Sequence, residues 1–239
     1  MTYGLVAPGG IKLKIVITND DGYGEPGLKA LFKAVQEFGA VVVVAPRESQ
    51  SLTGHRVTLR EAIRVDQIRA HQYAVHGTPA DCARLALKCL APDADWVISG
   101  INPGANLGTD VYQSGTVAAA REAAILGVKA LAISQYIGPN RTIDWDATCH
   151  QTTRIISVLL QKSLPPYQYL NINLPHPENV WSDISYKFCP MDKHPHDYTY
   201  DRHSGTYRYR GIIHDRPRSP GSDVDVCFSG QVSLTHLEI

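Results

Sequence analysis

Segments typical of buried strands and of amphipathic helices alternate along about the first 135 residues, and this alternation most limits the possible folds. The first strand is predicted over Leu13–Thr18, a short apolar run rich in β-branched residues. Pro26 then opens a segment with apolar residues at helical spacing, and Gly39 ends it. Repetition of such units predicts an α/β fold, with a mostly parallel sheet and helices on both faces.

Further strand and helix signals follow in the same alternation. Strands are predicted in the stretches AVVVVAP (40–46), QYAVHG (72–77), DWVISG (95–100) and VKALAIS (128–134). Thr78 is a typical N-cap and is followed by Pro79, which suits the first position of a helix. Ser114 is the N-cap expected for the stretch SGTVAAAREAAILG, which Gly127 closes.

The second half of the chain has a different pattern. After a helix predicted over about 146–162, the stretches QYLNINLP, VWSDISYKF and QVSLTHL are typical of strands, with no helical pattern between them. The stretches DYTYD (197–201) and TYRYRGIIH (206–214) predict an exposed hairpin, whose tyrosine-rich alternation needs a covering surface such as a partner subunit. We expect a flexible leader over 1–12 and a single domain over 13–239.

Composition narrows the classes of function. Lys plus Arg and Asp plus Glu number 23 each, so we expect no overall attraction to nucleic acid or to an anionic membrane. The five cysteines are widely spread and form no C-x-x-C pair, which argues against a disulfide framework or a zinc site and favours a reducing, cytoplasmic setting. No apolar run approaches the roughly 20 residues that a membrane-spanning helix needs.

Two adjacent carboxylates, Asp20 and Asp21, follow the first predicted strand in the stretch NDDG. Ligands of parallel α/β sheets bind outside the carboxyl ends of the strands, where such turns converge. Like charges side by side repel unless a cation or a proton is shared between them. A purely local alternative is that one aspartate caps the helix while the other faces water.

Other loops at this edge of the predicted sheet are equally polar. Ser49 and Ser51 follow the second strand, and Asn102 and Asn106 follow the DWVISG strand. Their oxygens, with those of the two aspartates, are the ligands that Mg²⁺, Mn²⁺ or Ca²⁺ prefers. The segment Ser114–Thr116 opens a helix, which favours an anion. A cation site beside an anion cradle indicates a phosphate ester as ligand.

The motifs resemble those of the SurE survival-protein nucleotidases, which are metal-dependent phosphatases acting on nucleoside monophosphates. The matching stretches are ITNDDGYGEPGLKAL, VVVVAPRESQS, HGTPADC, VISGINPGANLGTDV and SGTVAAAREAAILG, in the family's order. The resemblance implies a three-layer α/β/α, Rossmann-like core over 13–140 and a β-rich C-terminal part over 141–239, with a hairpin used for oligomerisation. It also implies a homodimer or homotetramer, while the charge balance given above predicts no nucleic-acid or membrane partner.

Carried over residue by residue, the resemblance implies one divalent ion per subunit, Mg²⁺ or Mn²⁺ with Ca²⁺ as a further candidate. Its implied ligands are the oxygen donors Asp20, Asp21, Ser51 and Asn102. The implied lining of the phosphate pocket is Asn106, Ser114, Gly115 and Thr116. The expected substrates are nucleoside 5′-monophosphates, with 3′-monophosphates and short-chain polyphosphate as further candidates.

This sequence departs from the family pattern at three places. Leu52 stands where glycine usually follows the ligand serine, so we expect either the backbone or the mouth of that loop to differ. Gln113 stands where tyrosine often precedes the SGT motif, which bears on how the base or sugar is held. The sequence ends at SLTHLEI, where the family usually continues into a further helix that helps subunits to associate.

As a mechanistic hypothesis, a cation held by Asp20 and Asp21 neutralises charge on the phosphoryl oxygens while Asn106 and the N–H groups near Gly115 hold the phosphate. Asp20 or Asp21 is then the catalytic group that orients or deprotonates the attacking water. The adjacent aspartates do not fit the D-x-D spacing of a haloacid-dehalogenase-like phosphatase, and NDDGYGEPG lacks the G-x-G-x-x-G of a dinucleotide-binding oxidoreductase. A non-catalytic, metal-dependent nucleotide sensor remains an alternative, and no histidine is placed among the metal ligands.

Overall fold

The structure is a computed structural model that describes residues 13–176, 184–196 and 198–239. The leader predicted over 1–12, the first residues of the stretch VWSDISYKF and the first residue of DYTYD lie outside the described residues. The strands are β1 (Leu13–Thr18), β2 (Gly39–Pro46), β3 (Val65–Arg69), β4 (Gln72–Val75), β5 (Trp96–Pro103), β6 (Lys129–Gln135), β7 (Gln168–Leu174), β8 (Tyr186–Phe188), β9 (Tyr200–His203), β10 (Thr206–Tyr209) and β11 (Val232–Glu238).

Five α-helices lie within the described residues. They are α1 (Pro26–Val35), α2 (Pro79–Leu85), α3 (Gly115–Ile125), α4 (Trp145–Leu159) and α5 (Asp223–Phe228). A π-helical turn (Ala86–Leu90) extends α2, and short 3₁₀ helices span Gly108–Tyr112 and Ile213–Asp215. No helix in the described part of the chain combines the length and the apolar character needed to cross a membrane.

Nine strands of the described chain form one sheet, in the order β3-β4-β2-β1-β5-β6-β7-β11-β8. Neighbours from β4 to β7 pair in parallel, whereas β3 pairs antiparallel with β4 and β11 pairs antiparallel with β7. After β1 the chain places β2, β3 and β4 on one side of β1. It then crosses over and places β5, β6 and β7 on the other side. The order of strand addition therefore reverses between β1 and β5, which is where open α/β sheets bind ligands.

Two helical layers cover the sheet, and the alternation of β1 shows why. Ile15 and Ile17 point to the face where α1 and α4 pack together, and Val16 points to the face that α2 and α3 cover. Because both faces are buried, the strand is a continuous apolar run. Each buried side chain of this kind stabilises the fold by about 1.5–3 kcal/mol. The predicted three-layer α/β fold with a mostly parallel sheet is confirmed.

The predicted starts of two helices are also confirmed. Thr78 caps α2 through a reciprocal pair of hydrogen bonds, in which Asp81 N donates to Thr78 Oγ1 (3.2 Å) and Thr78 N donates to Asp81 Oδ2 (3.0 Å). Ser114 caps α3, because its hydroxyl accepts a hydrogen bond from Val117 N (3.1 Å). Such caps contribute about 1 kcal/mol each.

The structure corrects the prediction for the second half, which expected no helix between the later strands. Helix α5 (Asp223–Phe228) lies before β11 and begins at Ser222, whose hydroxyl accepts a hydrogen bond from Asp225 N (3.4 Å). It has only six residues, so it is too short to show helical periodicity in the sequence. The edge strand β3 was also not predicted, because it is mostly exposed and lacks a buried apolar face.

Candidate active site

The site lies at the carboxyl ends of β1, β2 and β5, which are neighbours in the sheet. Thr18, the last residue of β1, pairs with Ser99 of β5. The register of β5 against β6 then shifts, and pairing resumes at Asn102, opposite Ser134. This irregularity follows Ser99 and sets the position of Asn102 relative to the turn that carries the paired aspartates.

Asp20 is held against the start of helix α3. Its side chain accepts a hydrogen bond from the Thr116 hydroxyl, and the residue is only 5% exposed. A Cβ atom on Gly115 would lie 2.8 Å from the Cβ of Asp20, so the close approach requires glycine. Burial raises the pKa of Asp20 above its usual value, although the hydrogen bond from Thr116 acts in the opposite direction.

Asp21 is the unsatisfied member of the pair. Its Oδ2 atom is buried and has no hydrogen-bond partner among the described residues. Burial, and then the negative charges of Asp20 and Glu25, raise the pKa of Asp21 to about 7. Buried carboxylate oxygens without a partner are rare in native structures. The orphaned atom and the hard oxygen donors around it fit a divalent cation, which would relieve the repulsion.

The loop that follows β2 brings Ser51 to this turn. Gln50 N donates a hydrogen bond to the backbone carbonyl of Asp20 (2.7 Å), and the hydroxyls of Ser49 and Ser51 are 3.1 Å apart. Leu52 has a φ of 59° in the left-handed region and is 78% exposed. That backbone conformation favours glycine, so the family's usual glycine matches the loop geometry and Leu52 is strained there.

Asn102 lies near the carboxyl end of β5, the third strand at the site. Its Nδ2 atom donates to the carbonyl of Gly104 (2.6 Å) within its own turn. Because the amide nitrogen is engaged in this way, Oδ1 is the atom of Asn102 that is suited to bind a cation.

The side chains of Asn106, Ser114 and Thr116, which were predicted to bind phosphate, are all hydrogen-bonded within the protein. The Asn106 side chain donates to Ser134 Oγ (2.8 Å), and its backbone carbonyl accepts from the side chains of Asn171 (2.8 Å) and Asn173 (3.0 Å). The hydroxyls of Ser114 and Thr116 are engaged by the helix cap and by Asp20 respectively. The groups left to hold an anion are therefore the backbone N–H groups at the start of α3.

The C-terminal part of the chain supports the segment between Asn106 and Ser114 from behind. Asp223 Oδ2 accepts a hydrogen bond from Gly108 N (2.8 Å). The buried Arg216 donates to the Leu107 carbonyl (3.1 Å) and to Asp110 Oδ2 (2.7 Å). The C-terminal part of the chain, including α5, thus holds the segment between Asn106 and Ser114 in place.

The family described as Survival protein SurE matches residues 15–197 of this chain. The chain belongs to the SurE family. A putative 5′-nucleotidase from Synechocystis sp. is 45% identical to it over 227 residues, covering 95% of this chain and 100% of the relative. A protein named 5′-nucleotidase SurE from Geotalea daltonii is 42% identical over 238 residues, covering 95% and 93%. The crystal structure of the Sure protein from Aquifex aeolicus matches with a TM-score of 0.84 at 31% identity, over 94% of this chain and 93% of that one.

Sequence reasoning missed some polar residues that shape the site of this SurE-family chain. Asn171 and Asn173 lie fully buried on β7 and bind the backbone of Asn106. Asn173 Oδ1 also accepts from Asn106 N (2.8 Å). Two asparagines at alternate positions of the apolar stretch QYLNINL share one face of a strand, and this spacing was the available signal.

His55 and His76 both pair with carboxylates. His55 Nε2 lies 2.8 Å from Glu122 Oε2, and His76 Nε2 lies 2.8 Å from Asp66 Oδ2. Among the described residues no cluster of three His, Cys, Asp or Glu side chains is arranged to hold a metal ion. A cation at the Asp20–Asp21 pair would therefore complete its ligand set with other oxygen donors.

Proposed function

We propose that this SurE-family protein is a metal-dependent phosphatase that hydrolyses nucleoside monophosphates to nucleoside and inorganic phosphate. The observation that carries the proposal is the buried, unpartnered Oδ2 of Asp21 beside Asp20, at the strand switch point and next to the start of α3. The names of the similar proteins, 5′-nucleotidase SurE and putative 5′-nucleotidase, support the same activity.

In this proposal the cation is bound by Asp20, Asp21, Ser51 and Asn102. A divalent cation at this position, Mg²⁺ or Mn²⁺, supplies positive charge that neutralises phosphoryl oxygens and acidifies a water molecule. Burial and the neighbouring negative charges oppose the ionisation of Asp21, and the positive charge of the cation would favour it. One ion per subunit is sufficient for this ligand set.

The chain's own groups hold the phosphate and orient the attack. The first N–H groups of α3, such as that of Gly115, have no acceptor within the helix and favour an anion. Ser114 fixes that helix start by capping it, and Asn106 fixes the neighbouring loop. Asp21, with one oxygen free of hydrogen bonds among the described residues, is the group positioned to orient or deprotonate a water molecule.

Substrate range and assembly are part of the same proposal. We assign nucleoside 5′-monophosphates as the main substrates, with 3′-monophosphates and short polyphosphates as candidates. Residues 13–239 act as one domain that assembles into a homodimer or homotetramer through the hairpin β9–β10. All five cysteines are free, which suits a reducing cytoplasm.

The test is phosphate release from a panel of nucleotides. Purified protein with Mn²⁺ is given AMP, GMP and the matching 3′-monophosphates, and inorganic phosphate is measured over time. We expect release from the 5′-monophosphates, and loss of release in Asp21→Asn. Binding of AMP without any release of phosphate would instead indicate a nucleotide sensor and would contradict the enzymatic proposal.

A further inference from the structure

The loop between β2 and β3 carries Ser51, and hydrogen bonds on either side of Ser51 attach it to the rest of the molecule. One attachment is the hydrogen bond from Gln50 N to the Asp20 carbonyl (2.7 Å). Another is the hydrogen bond from Gly54 N to the carbonyl of Gln113 (3.1 Å). Between these points Ser51 and Leu52 are exposed. The position of the Ser51 hydroxyl therefore depends on how firmly the loop is held on either side.

His55 provides a side-chain attachment of this loop. Its Nε2 lies 2.8 Å from Oε2 of Glu122 on helix α3. Arg121 Nη1 lies 3.4 Å from the other ring nitrogen of His55, and because a guanidinium can only donate, that nitrogen accepts and Nε2 carries the hydrogen. The imidazole thus donates to Glu122 and is oriented by Arg121.

Glu122 is an anchor of fixed position. Its side chain is only 2% exposed and also pairs with Arg84 of α2 at 2.8 Å. Burial alone would raise the pKa of Glu122, but the hydrogen bonds from His55 and Arg84 outweigh it and lower the pKa. The carboxylate is therefore ionised at neutral pH and held between two helices, so it is a rigid acceptor for the loop.

The same helix contacts both halves of the proposed metal site. At its first turn, Gly115 and Thr116 contact Asp20, and about two turns later Glu122 binds the loop that carries Ser51. Helix α3 therefore acts together with the hydrogen bond from Gln50 N to the Asp20 carbonyl in fixing where Ser51 lies relative to the aspartates. His55 lies four residues after Ser51 in the sequence, and the side chains that its ring nitrogens meet are those of Glu122 and Arg121.

We propose that His55 is a positioning residue, whose hydrogen bond to Glu122 latches the Ser51 loop to α3 and thereby sets the affinity of the site for its divalent cation. This inference rests on the proposed function, because it takes Ser51 as a ligand. Residues that orient metal ligands without touching the ion typically affect metal affinity by about 10–100-fold. The latch predicts a weakened metal site with an otherwise intact fold.

The test compares His55→Leu with His55→Gln in the full chain. Mn²⁺ binding is measured by isothermal titration calorimetry, and phosphate release from AMP is measured as a function of Mn²⁺ concentration. We expect His55→Leu to weaken Mn²⁺ binding by about tenfold while the rate at saturating Mn²⁺ changes little. A glutamine amide donates from nearly the same place as Nε2, so His55→Gln should restore most of the affinity.

His76→Leu is the matched control, because His76 also pairs with a carboxylate at 2.8 Å but lies at the β3–β4 edge of the sheet. It should bind Mn²⁺ like the wild type. Thermal melting in EDTA confirms that each variant is folded. Wild-type affinity in His55→Leu, or equal weakening in the leucine and glutamine variants, would overturn the latch.

Failure of the latch can be distinguished from failure of the proposed function. If the wild type binds Mn²⁺ and the variants differ as expected, but no protein releases phosphate, the phosphatase proposal fails and the latch stands. If the wild type is a Mn²⁺-dependent phosphatase and His55→Leu has the same Mn²⁺ requirement, only the latch fails. A wild type that binds no Mn²⁺ would overturn both.

Discussion

At the scale of single residues, the crowding of Asp20 and Asp21 is the feature that the fold explains least without a ligand. Asp20 is buried and accepts a hydrogen bond from Thr116, whereas Asp21 has a buried oxygen without a partner among the described residues. Burial raises the pKa of both groups, and the negative charges of Asp20 and Glu25 raise that of Asp21 further. The arrangement opposes ionisation in the metal-free protein, and a bound cation would reverse that preference.

Asp21→Asn tests whether ionisation of Asp21 destabilises the metal-free protein. The folded pKa of Asp21 is raised from 3.8 to about 7, so ionisation of Asp21 lowers the free energy of unfolding as pH rises through that window. Asparagine does not titrate, and the variant should therefore gain stability relative to the wild type between about pH 4 and about pH 7. Urea unfolding in EDTA at several pH values measures the difference. A stability difference that stays constant with pH would contradict the raised pKa of Asp21.

At the scale of elements, the start of α3 packs directly on Asp20, one of the proposed metal ligands. Gly115 occupies the first helical position, where alanine is normally tolerated, yet a Cβ atom there would lie 2.8 Å from Asp20 Cβ and 3.1 Å from its Oδ2. The glycine is therefore required by its contact with Asp20 rather than by its backbone angles.

Gly115→Ala should displace Asp20 and weaken Mn²⁺ binding by about tenfold or more, by analogy with other residues that orient metal ligands. Isothermal titration calorimetry measures the affinity. Gly138→Ala is the control, because the nearest atom to its added Cβ would be Arg141 Cγ at 3.4 Å, an ordinary contact. Equal Mn²⁺ affinities in the two variants would mean that the start of α3 does not hold Asp20.

The sequence predicts the elements with strong local signals and misses those without them. Strand β1 and the starts of α2 and α3 are marked by apolar runs and by the caps Thr78 and Ser114, and all are found where predicted. Helix α5 is too short to show periodicity, and β3 is an exposed edge strand. The spacing of Asn171 and Asn173 marks one face of β7, but their contacts with Asn106 join segments about 65 residues apart, so no local pattern reveals that partner.

The site itself was only partly readable from the sequence. The placement of Asp20 and Asp21 after β1, of Ser51 after β2 and of Asn102 near the end of β5 follows from the parallel topology. The engagement of the Thr116 hydroxyl by Asp20 does not follow from it, because that contact depends on how closely α3 approaches the turn. The role of these residues as ligands stays a prediction.

At the scale of the whole molecule, the C-terminal part is tied to the site through buried carboxylates. Asp223 is fully buried and accepts hydrogen bonds from the backbone N–H groups of Gly108, Asp192 and Val224. Asp223→Ala should lower the free energy of unfolding by about 2–4 kcal/mol, because buried donors lose their acceptor. Urea unfolding measures the loss, and Asp225→Ala, at a partly exposed position, should cost less. Equal losses would contradict this role of Asp223.

The hairpin β9–β10 is a separate two-stranded sheet that projects exposed aromatic side chains. Tyr200 pairs with Tyr209, and Tyr207 pairs with Arg202, so these side chains share one face. Tyr200 and Tyr207 are 55% and 62% exposed, and such a face is typical of an interface.

Replacing Tyr200 and Tyr207 together with serine should reduce the molar mass of the assembly in size-exclusion chromatography with light scattering. The physical reason is the loss of apolar contact area at the proposed subunit interface. Arg208→Ser, on the opposite face of the hairpin, is the control and should leave the mass unchanged. An unchanged mass in the tyrosine variant would exclude this face as the interface.

The central claim is that the carboxylate pair, with Ser51 and Asn102, holds a divalent cation on which phosphate release depends. The most direct measurement is release of inorganic phosphate from AMP by protein dialysed against EDTA, before and after addition of Mg²⁺ or Mn²⁺. We predict no release from the metal-free protein, and recovery of release when either ion is restored. Phosphate release from the metal-free protein at the same rate as from the metal-loaded protein would contradict the account.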